Sequence, residues 1–569
     1  MAASFLRIAT TSLILSALSL PAVAQGFSGS YLAGRQAAFD SDYLAASRYY
    51  TAALARDPSN PRLLESAVLS YLSLGQIDRA LPVARKMRAD GLQSQLSDMV
   101  IVAELVKDGK FETLLEDLND TLGVNELVDS LVTAWAHIGN GSMSDALQAF
   151  DAAARQQGAA GFAAYHKALA LASVGDFSGA EKVYAAKDEN AVQMTRRSVL
   201  ALVQILSQLD RNDEALNLMQ DMFGGALDPN LQAMTDRLRA GETLDFDMVS
   251  GVRDGIAEVF YALADVLASE ASADYTLLYT RVAEYLRPDL VEALLLSAGL
   301  LDQLGRYDLA IEAYKRVPAD HPSFHIAEMG RSDALRMAGR EDAAVEVLTQ
   351  LTRTHSELSS VHSALGDVLR QNRDFEGAVA AYDKAIELDN AADRALWFVY
   401  YARGICHERL DQWELAEADF RTALELNPEQ PQVLNYLGYS LVEKKIKLDE
   451  ALNMIERAVA ARPDSGYIVD SLGWVLFRLG RYDEAVAHME RATELMPIDP
   501  VVNDHLGDVY WAVGRKLEAQ FQWKRALSFV DEDSAEEAKP DRIRRKLEVG
   551  LDQVLEEEGA DPLQVANEN

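Results

Sequence analysis

The chain has 569 residues, 49% of them hydrophobic and 25% charged, the proportions of a globular protein with room for several domains or one long repeat array. Its charge balance is unusual: 89 acidic against 54 basic residues give a formal net charge of −35. So negative a surface repels phosphate backbones and anionic lipid, which excludes nucleic-acid binding as its business and reads as a solvated, acidic outer face that attracts basic partners. The lone cysteine, Cys406, cannot form an internal disulfide, and its place in a predicted helix makes it a small buried hydrophobe.

The first element in chain order is a targeting segment. Arg7 and the amino terminus are positive, Ile8 to Leu20 is apolar or small, and Pro21 precedes the small-x-small site Ala22-Val23-Ala24. This is the pattern of a secretory signal peptide, residues 1–24, cleaved after Ala24. No cysteine follows the cleavage site, so a lipid anchor of the bacterial lipoprotein type is not expected. No later stretch runs about 18 residues without a charge or polar break, so no transmembrane segment is expected either.

The rest of the chain repeats itself. Residues 25–223 form a looser block, in phase from 27 to 61, from 127 to 161 and at 196, with residues 95–126 matching poorly. Residues 224–256 break the phase with Gly224-Gly225, Asp228-Pro229, Gly241, Gly251 and Gly255, and read as a joint between two blocks. Residues 257–530 are regular: units begin at 257, 291, 325, 359, 397, 431, 466 and 500, at spacings of 34, 34, 34, 38, 34, 35 and 34. The four extra residues near 389–396 lengthen one turn. In residues 531–569, Pro540 opens a helix whose Ile543, Leu547, Leu551 and Leu555 make an i+4 stripe able to cap the last unit, and from Glu556 an acidic tail is expected to be mobile.

The period has a steric basis. Position 8 of each unit is small (Gly34, Ala134, Ala168, Ala264, Gly366, Gly404, Gly438, Gly473, Gly507), and position 20 is nearly always alanine (Ala46, Ala80, Ala146, Ala310, Ala378, Ala416, Ala485, Ala519). Two helices that cross closely need small side chains there, because a larger one overpacks. Position 24 is bulky (Tyr50, Phe150, Tyr314, Tyr382, Phe420, Trp523) and is expected to fill the space between units, while proline at position 32 (Pro58, Pro288, Pro428, Pro463, Pro497) ends the second helix.

Repeated in phase over so many units, these positions resemble the tetratricopeptide-repeat (TPR) family over roughly residues 27 to 530. The resemblance implies an all-α fold, a TPR superhelical solenoid of antiparallel helix pairs. The stretches Asn435 to Tyr439, Asp470 to Trp474 and Asp504 to Asp508 are similar to those of exported TPR scaffold and adaptor proteins of Gram-negative bacteria. That likeness implies a periplasmic, non-catalytic scaffold or adaptor that binds a protein or peptide, such as an envelope protease or assembly factor; an assembly chaperone for envelope components is the alternative. In TPR proteins the first helix of each unit lines the concave groove, and positions 2, 5, 9 and 12 share one face of it. Here that face offers Phe398, Tyr401, Asn435, Tyr439, Tyr467, Asp470, Trp474, Phe477, Asp504, Asp508 and Trp511 as the expected partner-binding groove. Aromatics flanked by carboxylates suit a peptide with apolar and basic residues, and an Asn amide can bond its backbone. TPR proteins that bind chaperone C-termini carry Lys at position 5 and Asn at position 9 of one unit, a pair that no unit here has.

Motifs of chemistry are missing. The chain contains no GxxxxGK, HExxH, CxxC or GxSxG pattern, and Cys406 and His407 are neighbours on a helix whose side chains point apart. His321 and His325 flank a predicted turn with no further ligand near in sequence, so neither a metal nor another cofactor is expected. The rival from another class is a hydrolase with scattered carboxylates, which no motif supports.

Overall fold

The structure is a computed structural model that describes residues 27–186, 191–224, 227–389, 396–531 and 534–563. The signal segment at 1–24 and most of the lengthened turn, 390–395, lie outside the described residues. Every regular element among the described residues is a helix, and the helices pair in repeats, as the period requires. None of them is long and apolar enough to cross a membrane. The chain divides into two compact units, one up to Val347 and one from Leu348.

In the second unit Ser359–Gln371 pairs with Phe375–Leu388, Trp397–Arg409 with Trp413–Leu426, Pro431–Glu443 with Leu448–Ala461, Gly466–Arg478 with Tyr482–Leu495, and Pro500–Ala512 with Lys516–Phe529. The alanines at the crossings, Ala378, Ala416, Ala451, Ala485 and Ala519, are completely buried. The bulky position 24 packs differently from expectation. A Cβ on Gly366 would stand 2.5 Å from the Tyr382 ring, and one on Gly507 2.4 Å from the Trp523 ring. The large side chain therefore seats on the glycine of its own unit, and only the small residue at position 8 lets it in. Tyr314, which presses on Gly330 of the following unit, is of the expected kind. Prolines act as read: the residues before them, Arg287, Asn427, Arg462 and Met496, leave helical geometry at φ near −130° to −138° with ψ of 67–87°.

The turn between the two helices of a unit holds a feature that the pattern analysis missed. Position 15 lies in the left-handed region in unit after unit: Gly75, Gly141, Gly175, Gly305, Gly339, Gly480 and Gly514, but also Ser41, Asp210, Arg373, Asp411 and Lys445. Glycine is unstrained there, whereas the others bear a Cβ penalty.

The first unit departs from a simple array. Residues 95–126, which match the repeat poorly, still form a pair, Gln95–Lys107 and Phe111–Asp120. The segment 224–256, expected as a joint between blocks, lies inside this unit. Its Leu244, Met248 and Val249 are buried, and Gln204 Nε2 donates to Asp247 Oδ1 at 2.7 Å. Gly255 marks no break either. It sits within the helix Val252–Glu270, where a Cβ would meet the fully buried Trp135 ring at 2.4 Å.

That helix and the next, Ala273–Leu286, fold back onto the early repeats Pro61–Ser73, Gln95–Lys107 and Glu126–Gly139. Polar contacts fix the return: Gln95 Nε2 donates to Tyr279 Oη at 3.0 Å, Asn125 Nδ2 donates to the same oxygen at 3.2 Å, and Arg281 Nε donates to the Ser73 carbonyl at 3.1 Å. Glu258, 1% exposed, accepts from Tyr165 Oη at 2.9 Å and pairs with Arg197 at 2.7 Å. Buried carboxylates of this kind persist only when paired.

The C-terminal end caps the second unit with two helices, where the stripe predicted one. Pro540–Val549 and Leu551–Glu557 break at Gly550 (φ +88°), whose backbone lies so close under Trp511 that a Cβ would stand 2.4 Å from the ring. Ile543 and Leu551 are fully buried, and Leu547 and Leu555 pack against the same core. The expected mobile tail is docked through residue 563: Asp561 pairs with Lys445 at 2.9 Å, and Leu563 packs on the core.

Candidate groove on the inner face of the second unit

The first helices of the repeats from 397 to 512, the inter-repeat turn 495–499 and, from the C-terminal segment, Ser534 and Glu537 line a cavity of about 1350 Å³. Four of the expected groove residues, Asn435, Tyr439, Tyr467 and Asp470, are in its wall. Among the described residues no donor reaches the buried Asn435 Oδ1, although a buried amide oxygen left without a donor costs about 1–3 kcal/mol. Beside it Tyr467 is 64% exposed and Ile498, which sequence reasoning did not single out, 69%. Tyr439 has its hydroxyl pKa raised by burial and by the carboxylates of Glu443 and Asp470.

Most acids of this wall already have partners. Glu408 accepts from Tyr436 Oη at 2.6 Å and from Ser440 Oγ at 2.8 Å, and Asp499 caps the helix Pro500–Ala512 through the Val501 and Val502 amides at 2.9 Å. Asp470 holds His505 Nδ1 at 3.0 Å. Burial depresses the His505 pKa, but the carboxylates of Asp470, Asp504 and Asp508 outweigh it and leave the imidazole above its ordinary value.

A second cavity of about 990 Å³ shares Arg409, Tyr439, Glu443, Val501, His505 and Glu537 with the first. Trp474 lines it, stacked on His505 at 4.0 Å between ring centres and on Phe477 at 5.0 Å, with Nε1 donating to Glu443 Oε1 at 2.8 Å. Asp504 also borders it, but its carboxylate is occupied by Lys546 Nζ at 2.5 Å.

The structure places the remaining expected residues away from these cavities. Phe398 and Tyr401 belong to an aromatic cluster with Trp397, Phe420 and Tyr436, at ring separations of 5.2–6.5 Å. Phe477 is buried. Asp508, 1% exposed, accepts from Trp523 Nε1 at 2.8 Å and from Lys546 Nζ at 2.6 Å, and Trp511 donates through Nε1 to Asp552 at 2.9 Å under the cap. Asp504, Asp508 and Trp511 share the expected face, but the capping helix covers it with a lysine, Lys546, that is itself 0% exposed. The signal was a lysine inside the amphipathic stripe, which needs buried counter-charges.

Comparison with known proteins agrees with the repeat geometry. Family models described as tetratricopeptide repeat match residues 31–93, 257–323, 295–358, 359–391, 397–430 and 447–500, together about half of the chain. A TPR repeat-containing protein of Pseudomonas aeruginosa is 27% identical over 173 residues, 30% of this chain and 28% of that one. The lipoprotein NlpI homolog of Haemophilus influenzae is 30% identical over 118 residues, 21% of this chain and 36% of that one. The chain thus spans only about a fifth to a third of the length of the curated relatives it matches. Among solved structures, the Cut9–Hcn1 tetramer of the APC/C is 15% identical, with 91% of this chain and 96% of that one covered at a TM-score of 0.38. TPR proteins generally mediate protein–protein interaction, and this chain belongs to the tetratricopeptide-repeat family.

Proposed function

We propose that the chain is a non-catalytic scaffold or adaptor that holds a partner protein, through an extended or helical segment, on the inner face of its second unit. The observation that carries this reading is the open cavity itself, with Asn435, Tyr439, the exposed Tyr467 and the exposed Ile498 in its wall. An asparagine amide can bond a peptide backbone, and the exposed tyrosine and isoleucine give apolar side chains a seat. The secretory pattern of residues 1–24 and the likeness to bacterial exported TPR proteins support the cell envelope, and the periplasm within it, as the place of action. The partner is then a component of the envelope, such as a processing protease or an assembly factor.

Affinity capture from envelope extracts tests this, with the tagged chain and its Asn435→Ala/Tyr467→Ala variant run in parallel. One stoichiometric partner held by the unmodified chain and lost by the variant, with helicity unchanged by circular dichroism, is the expected result. Equal capture by both proteins would move the interaction to another surface, and a broad set of unfolded clients would make the protein a chaperone.

A further inference from the structure

The inner face is divided by charge in a way that the overall acidity conceals. Four arginines of the repeats, Arg370, Arg373, Arg409 and Arg478, converge on the second cavity, in a chain with 89 acids and 54 bases. The repeats line it with two carboxylates, and a third, Asp367, pairs with Arg370 at 3.6 Å. Asp504 is taken by Lys546, and Glu443 is shared between Trp474 Nε1 and Arg478 at 3.0 Å. Arg409, exposed and common to both cavities, makes no hydrogen bond or ion pair among the described residues. The other acids of the cavity, Glu536, Glu537 and Glu558, come from the C-terminal segment.

That segment leaves the last repeat through the sequence Asp-Glu-Asp-Ser-Ala-Glu-Glu, residues 531–537. Its short helix Ala535–Ala538 brings Glu536 to Arg373 at 3.0 Å and Glu537 into the walls of both cavities. Both partners of the Glu536–Arg373 pair are more than two-thirds exposed, 71% and 73%, so the contact is weak and exchangeable. The buried anchor, Lys546 between Asp504 and Asp508, lies beyond it on the capping helix and involves none of the residues of the acidic turn.

We infer that the arginine end of the groove is a docking site for an acidic peptide segment of a partner protein, and that the chain's own Ser534–Glu537 turn occupies part of it until that partner displaces it. This rests on the inner-face reading above and reverses the charge expected of the partner from overall composition. Phe375, Ile405, Val501 and Trp474 in the same wall would take apolar side chains between the acids. An intramolecular occupant competes at a high effective concentration, so it need bind only weakly to set a threshold for the incoming segment.

The probe is a fluorescently labelled synthetic peptide, Asp-Glu-Asp-Ser-Ala-Glu-Glu, titrated at low salt against the purified chain, its E536Q/E537Q variant and its R373Q/R409Q variant, with a lysine-for-acid peptide as control. All four positions are on the surface, so folding is not at issue. The inference expects E536Q/E537Q to bind the acidic peptide about threefold or more tightly than the unmodified chain, through loss of the internal competitor. It expects R373Q/R409Q to lose binding, and salt to weaken it. Equal affinity of the unmodified chain and E536Q/E537Q, or preference for the lysine peptide, would overturn it. If that happens while Asn435→Ala/Tyr467→Ala still loses the captured partner, the inner-face reading stands and this inference alone falls. If instead the peptide behaves as expected and partner capture ignores Asn435 and Tyr467, the arginine site stands without the envelope scaffold.

Discussion

The two units use one repeat to opposite ends. In the first, the helices Val252–Glu270 and Ala273–Leu286 return to the early repeats, and Tyr279, Arg281 and Glu258 find partners 93 to 208 residues away in sequence. In the second, the face made by the first helices keeps a cavity of about 1350 Å³, narrowed only by the C-terminal segment. Repeat proteins are held by neighbour-to-neighbour contacts, so the inner face is not needed for the array itself. Whether it becomes core or stays open is decided by the few side chains on it: tyrosines and arginines that meet built-in partners in the first unit, and the exposed Tyr467 and Ile498 in the second.

The largest effect expected from breaking this contrast is at the cap of the open unit. Lys546→Ala leaves Asp504 and Asp508 buried without their cation and should cost about 3–5 kcal/mol, read by denaturant unfolding followed through Trp511 and Trp523 fluorescence. A loss under about 1 kcal/mol would mean that the helix is not the cap. Next is the filled unit. Gly255→Leu forces a side chain into the Trp135 ring and should destabilise by about 1–3 kcal/mol in scanning calorimetry. A neutral result would remove the reason given for a glycine in that helix.

A smaller effect depends on pH. Burial raises the Asp302 carboxyl to about 6, with the nearby Asp333 adding to it and the Tyr314 hydroxyl, 3.0 Å away, opposing. Between the ordinary carboxylate value near 4 and about 6, the folded state keeps a proton that the unfolded chain has released, so stability falls as pH rises through that window. Asp302→Asn removes this contribution and should flatten the slope between pH 4 and 6, as measured by urea unfolding at a series of pH values. An unchanged slope would place the titration elsewhere. The smallest is in a turn: Asp210→Gly relieves a left-handed residue at φ +59° and should add about 1 kcal/mol or less, visible as a modest rise in Tm.

Much of the architecture was legible because the repeat is a steric statement. Small residues at positions 8 and 20 and proline at position 32 specify a close crossing and a stop, and the structure keeps them there. Four things were not legible. Closure of the first unit depends on hydroxyls and a guanidinium meeting groups up to 208 residues away, as Arg281 meets Ser73, and a local period carries no information about such distances. Gly255 looked like punctuation but serves close approach to Trp135, and Gly550, which the stripe did not single out, does the same under Trp511. Helical spacing named Asn435, Tyr439, Tyr467 and Asp470, which lie in the wall of one cavity, yet could not tell that Asp508 and Trp511 on the same face lie under the cap. The arginine cluster escaped notice because net charge averages over the surface, while a groove is lined by a handful of side chains.

The central claim is that the open inner face of the second unit is where a partner sits. Site-specific photo-crosslinking in cells that produce the protein tests it most directly, with the crosslinking amino acid placed at Tyr467 in the cavity wall or at Leu517, which is 81% exposed on the second helix of its repeat and outside both cavities. A discrete crosslinked species from position 467 and none from 517 is the result expected. Crosslinks from 517 alone, or equally from both positions, would contradict the claim.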